Sequence, residues 1–241
     1  MNWDAIVNKV TPYIVRIETP QGHGTGFLCF YNRDKSFYGI ATARHVVSYA
    51  DEWQQPIKIL AYPSFAQVFL KESPQYIIFS DYNTDSAVIL LSVATQLKLP
   101  ETIIPLLPTD VPLTIGTEVG WLGFPSVAPY DLCFFSGMIS AWQEGKHTYL
   151  IDGVAIEGVS GGPVIYATET EGVQIIGIVS AYVSNTALPG LAIARDVSHF
   201  HDTISKIQSM DDAREQKQKQ EQEKKSQMSA SPSTEPPRDP D

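Results

Sequence analysis

Gly158-Val159-Ser160-Gly161-Gly162-Pro163 sets one serine among three glycines and a proline. Glycine adopts backbone angles closed to other residues, and proline fixes its own angle and donates no N–H. A serine so placed sits on a tight, exposed loop where peptide N–H groups converge beside its hydroxyl. A serine nucleophile needs such a place, because the oxyanion formed on attack must be held by preorganised donors. A Gly-rich turn between two strands has the same composition, so the loop alone decides nothing. The deciding question is whether the chain also supplies a base and an acid.

The histidines stand at positions 23, 45, 147, 199 and 201. His45 directly follows the apolar run Tyr38-Gly39-Ile40-Ala41-Thr42 and precedes Val46-Val47. A strand end presents a side chain rigidly, as a general base requires. Asp85 is the last charge before the apolar run Ala87-Val88-Ile89-Leu90. An acid at the mouth of a buried strand can accept from an imidazole N–H, fix its tautomer and stabilise the imidazolium. A turn or cap aspartate is the plainer reading of Asp85, as it is of Asp81. The order His45, Asp85, Ser160 puts base and acid in the first half, the nucleophile in the second, and the site in the cleft between them.

The chain has 241 residues, of which 43% are hydrophobic, enough for a sizeable core. Its net charge is −10. Residues 211–241 hold six basic and eight acidic side chains, which leaves 11 against 19, or −8, in residues 1–210. The folded body is therefore acidic, which argues against nucleic acid and anionic membrane surfaces as partners. Cys29 and Cys133 read as free thiols in apolar runs, without His or Cys at metal-ligand spacing. No metal and no cofactor are expected. The N-terminus shows no basic-then-apolar signal pattern, and no apolar run approaches the roughly 20 residues that span a bilayer. The expected compartment is the cytoplasm.

Short apolar runs separated by turn signals, with few helical stretches between, predict an all-β chain of two antiparallel six-stranded β-barrels. The first covers about residues 11–96. A proline-bearing linker covers about 97–113, and the second barrel about 114–195. Trp3, Ile6, Val7 and Val10 predict a short helix before the first barrel. Asp196 caps a last helix over about 196–209, with Phe200, Ile204 and Ile207 at helical spacing. Residues 210–241, rich in Glu, Gln, Lys, Ser and Pro, are expected to be disordered, the first part at most transiently helical.

Thr42-Ala43-Arg44-His45-Val46-Val47, Thr84-Asp85-Ser86-Ala87-Val88 and Gly158–Pro163 resemble the three catalytic blocks of chymotrypsin-like serine proteases. The closer likeness is to the bacterial trypsin-like branch, including the HtrA-type protease domain. Gly24-Thr25-Gly26-Phe27 looks like that branch's early G-S-G-F strand, and Val119–Pro125 like its V-x-x-x-G-x-P segment. Ser136–Ala141 and Ile176–Ser180 resemble strands of its second barrel, and Pro189-Gly190 the segment beside its specificity pocket. The likeness runs from about residue 10 to 208, making 1–209 one protease domain. No PDZ-like segment, activation site or disulfide set accompanies it, so a single-domain intracellular enzyme without zymogen cleavage is expected.

The resemblance implies peptide hydrolysis, with Ser160 as nucleophile, His45 as base and Asp85 orienting it. The backbone N–H groups of Gly158 and Ser160 would form the oxyanion hole. Substrate main chain would pair with Ser180-Ala181-Tyr182, and Val154, Ala155, Ile156, Ala181, Tyr182 and Gly190 would line the specificity pocket. Val154 stands where trypsin has its acid, so small or medium apolar side chains are expected before the scissile bond, with Tyr182 narrowing the pocket. Two other readings remain open. One is a latent or inactive protease-fold module that binds peptides and needs an activating protein partner. The other is an α/β-hydrolase, whose nucleophile motif Gly158–Gly162 also satisfies, with Asp196 and His199 or His201 as partners. That motif must open a helix, whereas Pro163-Val164-Ile165-Tyr166 reads as a strand.

Overall fold

The computed structural model describes residues 2–71, 76–94, 97–109, 111–182 and 190–229, without the side chains of 181, 182 and 224–229. The apolar runs of the first half form β1 (Ile14–Thr19), β2 (Gly22–Tyr31), β3 (Phe37–Ala43), β4 (Ile57–Ala61), β5 (Gln67–Leu70), β6 (Tyr76–Asp81) and β7 (Ser86–Ser92). They make one antiparallel sheet in the order β5-β4-β1-β2-β3-β7-β6. Where a six-stranded barrel was expected, seven strands form a half-barrel whose edges are β5 and β6. The sheet buries Ile17, Leu28, Ile40, Ile59 and Ile89 in one cluster.

The second half forms β8 (Glu118–Gly123), β9 (Cys133–Gln143), β10 (Thr148–Asp152), β11 (Pro163–Thr168), β12 (Gly172–Tyr182) and β13 (Leu191–Asp196). These six do close, in the order β10-β13-β12-β11-β8-β9. Trp121, Tyr149, Ile165 and Ile178 fill the barrel. The connection before it is more than a linker: Leu106 bridges Ile175 in parallel, and Ile175 N–H donates to Pro105 O at 2.9 Å.

Three helices complete the chain among the described residues. The first, α1 (Trp3–Val10), inserts Ile6 and Val10 into the barrel's core and donates from Trp3 Nε1 to Glu118 at 2.8 Å. Between β3 and β4 lies α2 (Arg44–Glu52), which buries Val47 and Ala50 against the first sheet. The last, α3 (Ser198–Ser229), leaves the second barrel and returns to pack on β7 of the first half. There Phe200 meets Phe27 edge to face, with ring centres 6.2 Å apart. Such buried aromatics are worth roughly 1.5–3 kcal/mol each. The helix runs well past residue 209, where disorder was expected. Arg33, on the turn between β2 and β3, pairs with Asp212 and Glu215 of that extension. The expected disorder of 230–241 lies outside the described residues. No described helix is long and apolar enough to cross a membrane.

Candidate active site

The strand register brings the two polar groups of the first half together. β3 and β7 are antiparallel neighbours with Ala43 opposite Ser86. The residue that follows β3 must therefore meet the residue that precedes β7. His45 is the second residue of α2 rather than the end of a strand. That helix has no capping side chain of its own, since Ala43 holds the N-cap position. Asp85 supplies the cap from across the sheet. Its carbonyl accepts from Arg44 N–H at 2.9 Å, and its Oδ1 accepts from His45 N–H at 3.0 Å. Unsatisfied N–H groups at a helix start attract such a carboxylate. Asp85 holds a left-handed φ of 48° to do this.

The other carboxylate oxygen, Oδ2, accepts from His45 Nδ1 at 2.8 Å and from Ser180 Oγ at 2.6 Å. Burial pushes the Asp85 pKa up, but the hydrogen bonds and charge of His45 and the bond from Ser180 outweigh it, and the net shift is downward. An Nδ1 that donates leaves Nε2 of the neutral ring as the lone-pair nitrogen. Ser180 owes its aim to a bulge. The β12–β13 register shifts between Val179 and Ala181, which turns Ser180 out of the ladder toward the first half.

Ser160 is held by backbone. Thr25 N–H donates to Ser160 O at 2.8 Å, and Thr25 Oγ1 donates to Gly158 O at 2.9 Å. Gly161 N–H donates to Val179 O at 2.7 Å. Gly158 and Gly161 sit at φ +91° and +83°, where side chains are strained. Space forbids them as well: a Cβ on Gly161 would collide with Thr25 O and Thr42 Oγ1, and one on Gly158 would lie 2.6 Å from His23 Nε2. Glu157 O accepts from Ser126 N–H at 2.7 Å, so the trans peptide turns the Gly158 N–H the opposite way. Among the described residues, neither the Gly158 nor the Ser160 N–H donates to a protein acceptor. Ser160 and His45 make no direct hydrogen bond, a contact that commonly tightens only with substrate bound.

His45, Glu157 and Ser160 stand between two hollows, of about 690 Å³ and about 280 Å³, and line both. The larger also takes in Asp85 and Ser180, with Ala155, Ile156 and Val179 as apolar walls. Arg44, Tyr82 and Arg195 border it too. The smaller includes His23, Tyr49 and Gly158. Burial pushes the His23 pKa down, while its bond to Phe124 O at 3.0 Å partly restores it.

The sequence-based pocket residues divide. Ala155 and Ile156 line the larger hollow, as does Ser180, whose hydroxyl is committed to Asp85. Val154 is 55% exposed and, like Gly190, does not line it. The backbones of Ala181 and Tyr182 pair with Ile193 and Ala192. The expected narrowing by the Tyr182 side chain, and Pro189, lie outside the described residues. Sequence reasoning missed Ser180 as the anchor of Asp85, Thr25 as the clamp of the Gly158–Pro163 loop, and Arg44 and Arg195 at the border of the hollow. Among the described residues no cluster of His, Cys, Asp and Glu could hold a metal.

The α/β-hydrolase reading fails on geometry. Pro163 opens strand β11, not a helix. Asp196 accepts from Ser198 and pairs with His147 at 3.1 Å. His199 and His201 pack inward instead of meeting Ser160: His199 is 9% exposed against Asp81, and His201 Nε2 donates to Leu107 O at 2.8 Å.

The profile of the trypsin-like peptidase domain family matches residues 24–178. No curated protein sequence matches the chain. Among solved structures, the serine endoprotease from Yersinia pestis superposes with a TM-score of 0.63 at 20% identity, covering 87% of this chain and 67% of its own. An inactive form of Rv3671c from M. tuberculosis, a serine-to-alanine mutant, gives 0.58 at 19%, covering 85% and 90%. A second inactive Rv3671c structure gives 0.57 at 20%, covering 84% and 92%. At these identities the structures speak for the fold.

Proposed function

The chain belongs to the trypsin-like peptidase domain family, a family of serine endopeptidases, and from that premise we propose that it cleaves protein substrates through Ser160, His45 and Asp85. The observation that carries this reading is the meeting of His45 and Asp85, by strand register, in the cleft that Ser160 lines. Ser160 Oγ attacks the peptide carbonyl. His45 Nε2 takes its proton and later returns one to the leaving amine, while Asp85 holds the ring and stabilises its charged form. The Gly158 and Ser160 N–H groups receive the oxyanion. Water then releases the acyl group by the same route in reverse. The walls at Ala155, Ile156 and Val179 suit apolar atoms of the residue before the scissile bond.

The latent-module reading predicts a nucleophile loop closed against substrate. The unengaged N–H groups of Gly158 and Ser160 weigh against it. The test is reaction of the full chain with a fluorophosphonate probe, alongside turnover of an unfolded protein substrate. We expect labelling at Ser160, and Ser160→Ala should lower turnover by about 10⁴-fold or more with the fold intact. Serine-dependent cleavage that survives in Ser160→Ala overturns the assignment. Labelling only after a cell extract is added would favour the latent module.

A further inference from the structure

We infer that Arg195 makes the larger hollow a receptor for an acidic side chain, so that the enzyme cuts after Glu, and more weakly after Asp. This rests on the endopeptidase reading of the same cleft. Arg195 lies on β13 opposite Thr148 of β10, and it borders the hollow beside Ile156 and Val179. Two bonds fix its guanidinium: Nη1 donates to Thr148 Oγ1 at 2.7 Å and to Lys146 O at 3.3 Å. Thr148 is itself buried, so that anchor is rigid. The rest of the fork is not used up. Nε is buried away from the hollow, but Nη2 donates to no acceptor among the described residues, and Arg195 has no carboxylate partner there.

The other cation of the cleft behaves differently. Arg44 donates to Glu52 Oε1 at 3.1 Å and lies 5.1 Å over the Tyr82 ring. Arg44 is thus neutralised within the protein and Arg195 is not. In a chain with a net charge of −10, acidic partners are plentiful, yet none of the described ones reaches Arg195. The carboxylates that border the same hollow are otherwise placed. Asp85 is engaged by His45 and Ser180, and Glu157 is exposed and makes no ion pair with Arg195.

An arginine at the edge of apolar walls, with Nη2 uncommitted, keeps a donor for the carboxylate of a ligand. Guanidinium and carboxylate match as planar forks, and the pairing strengthens as the cleft loses water. A glutamate side chain fits both features. Its methylenes pack on Ala155, Ile156 and Val179, and its carboxylate reaches the charged end. This departs from the expectation of a wholly apolar residue, which rested on Val154 alone and overlooked a cation arriving from β13.

The test uses the full-length protein and quenched peptides that differ only in the residue before the scissile bond: Glu, Asp, Val or Lys. We expect kcat/KM for Glu to exceed that for Val by about tenfold or more, with Lys the poorest. Arg195→Gln should collapse the Glu-to-Val ratio toward one, and Arg195→Lys should keep part of it. The wild-type ratio decides by itself if a variant does not fold. Fluorophosphonate labelling of Ser160 separates the two levels. A labelled wild-type enzyme that cuts after Val as well as after Glu overturns the role of Arg195 and leaves the endopeptidase reading standing. An unchanged ratio in Arg195→Gln does the same. A chain that neither labels nor cleaves any peptide overturns both.

Discussion

The two halves of the molecule hold their share of the site by different means. In the open sheet, side chains do the holding: Asp85 caps α2 from across the β3–β7 ladder and grips His45 with the same carboxylate. In the closed barrel, backbone does it: Ser160 rides a loop whose glycines sit at left-handed angles and press against Thr25 and Thr42. Side-chain contacts can be removed one at a time at graded cost. A backbone pressed into a slot admits no added atom. The second half should therefore be the less forgiving.

Gly161→Ala tests this hardest. Its Cβ meets Thr25 O and Thr42 Oγ1, and its φ of +83° is strained for alanine. Strain of roughly 1–3 kcal/mol, together with a displaced loop, should slow labelling of Ser160 by about 10²-fold or more and lower Tm. Wild-type labelling rates in this variant would remove the contrast between the halves.

Ser180→Ala probes the side-chain mode. It takes one hydrogen bond from Asp85 and leaves both from His45. A bond to a charged group is worth roughly 1.5–3 kcal/mol, so kcat/KM should fall about tenfold, with labelling retained. The Asp85 pKa lies below its ordinary value in the folded chain. Its stabilisation is therefore complete above the unfolded value, about 3.9, and is lost as pH falls through the lower folded value. Without Ser180 the folded value moves back up. Stability of the variant, read as urea midpoint against pH, should then depend less on pH in that acid window. An unchanged acid profile would mean that Ser180 contributes no more than packing.

The smallest effect concerns α3, which runs from the second barrel back onto β7. Burial pushes the His199 pKa down, partly countered by Asp81, the Phe79 carbonyl and Asp202 and reinforced by Lys206. A depressed histidine contributes stability that is full above its unfolded value, about 6.5, and lost as pH falls below it. His23 is shifted the same way and adds to the trend. The urea midpoint should fall between about pH 7.5 and about pH 5.5. His199→Gln should flatten only part of that slope, and a slope unchanged by it would place the titration elsewhere.

Much of this was legible in the sequence, and what was not has physical reasons. Ser160, His45 and Asp85 stood out because each sits where a local pattern changes, from glycines to strand or from strand to polar turn. The closed second barrel followed from its short apolar runs. The openness of the first sheet did not, because strand-forming residues do not say which edges pair. The bulge that turns Ser180 toward Asp85 is a matter of register, invisible in residue types. The length of α3 was missed because the reading sought apolar residues, and few follow Ile207. Gln, Glu, Lys and Arg still favour helix, and Arg33 ties the first turns of the extension to the sheet. Arg195 read as one charge in a strand, since only the β10–β13 pairing puts it beside Thr148.

Thr25 carries a consequence for the birth of the molecule. It stands on β2, yet it holds Gly158 O, 133 positions later in the chain, and Ser160 O besides. During synthesis β2 leaves the ribosome long before the loop it clamps. His45 and Asp85 are thus made before the loop that holds Ser160, and that loop's contacts with Thr25 need both halves of the chain. On the proposed mechanism, activity therefore requires both halves of the chain, because the posture of Ser160 depends on a strand from the other half.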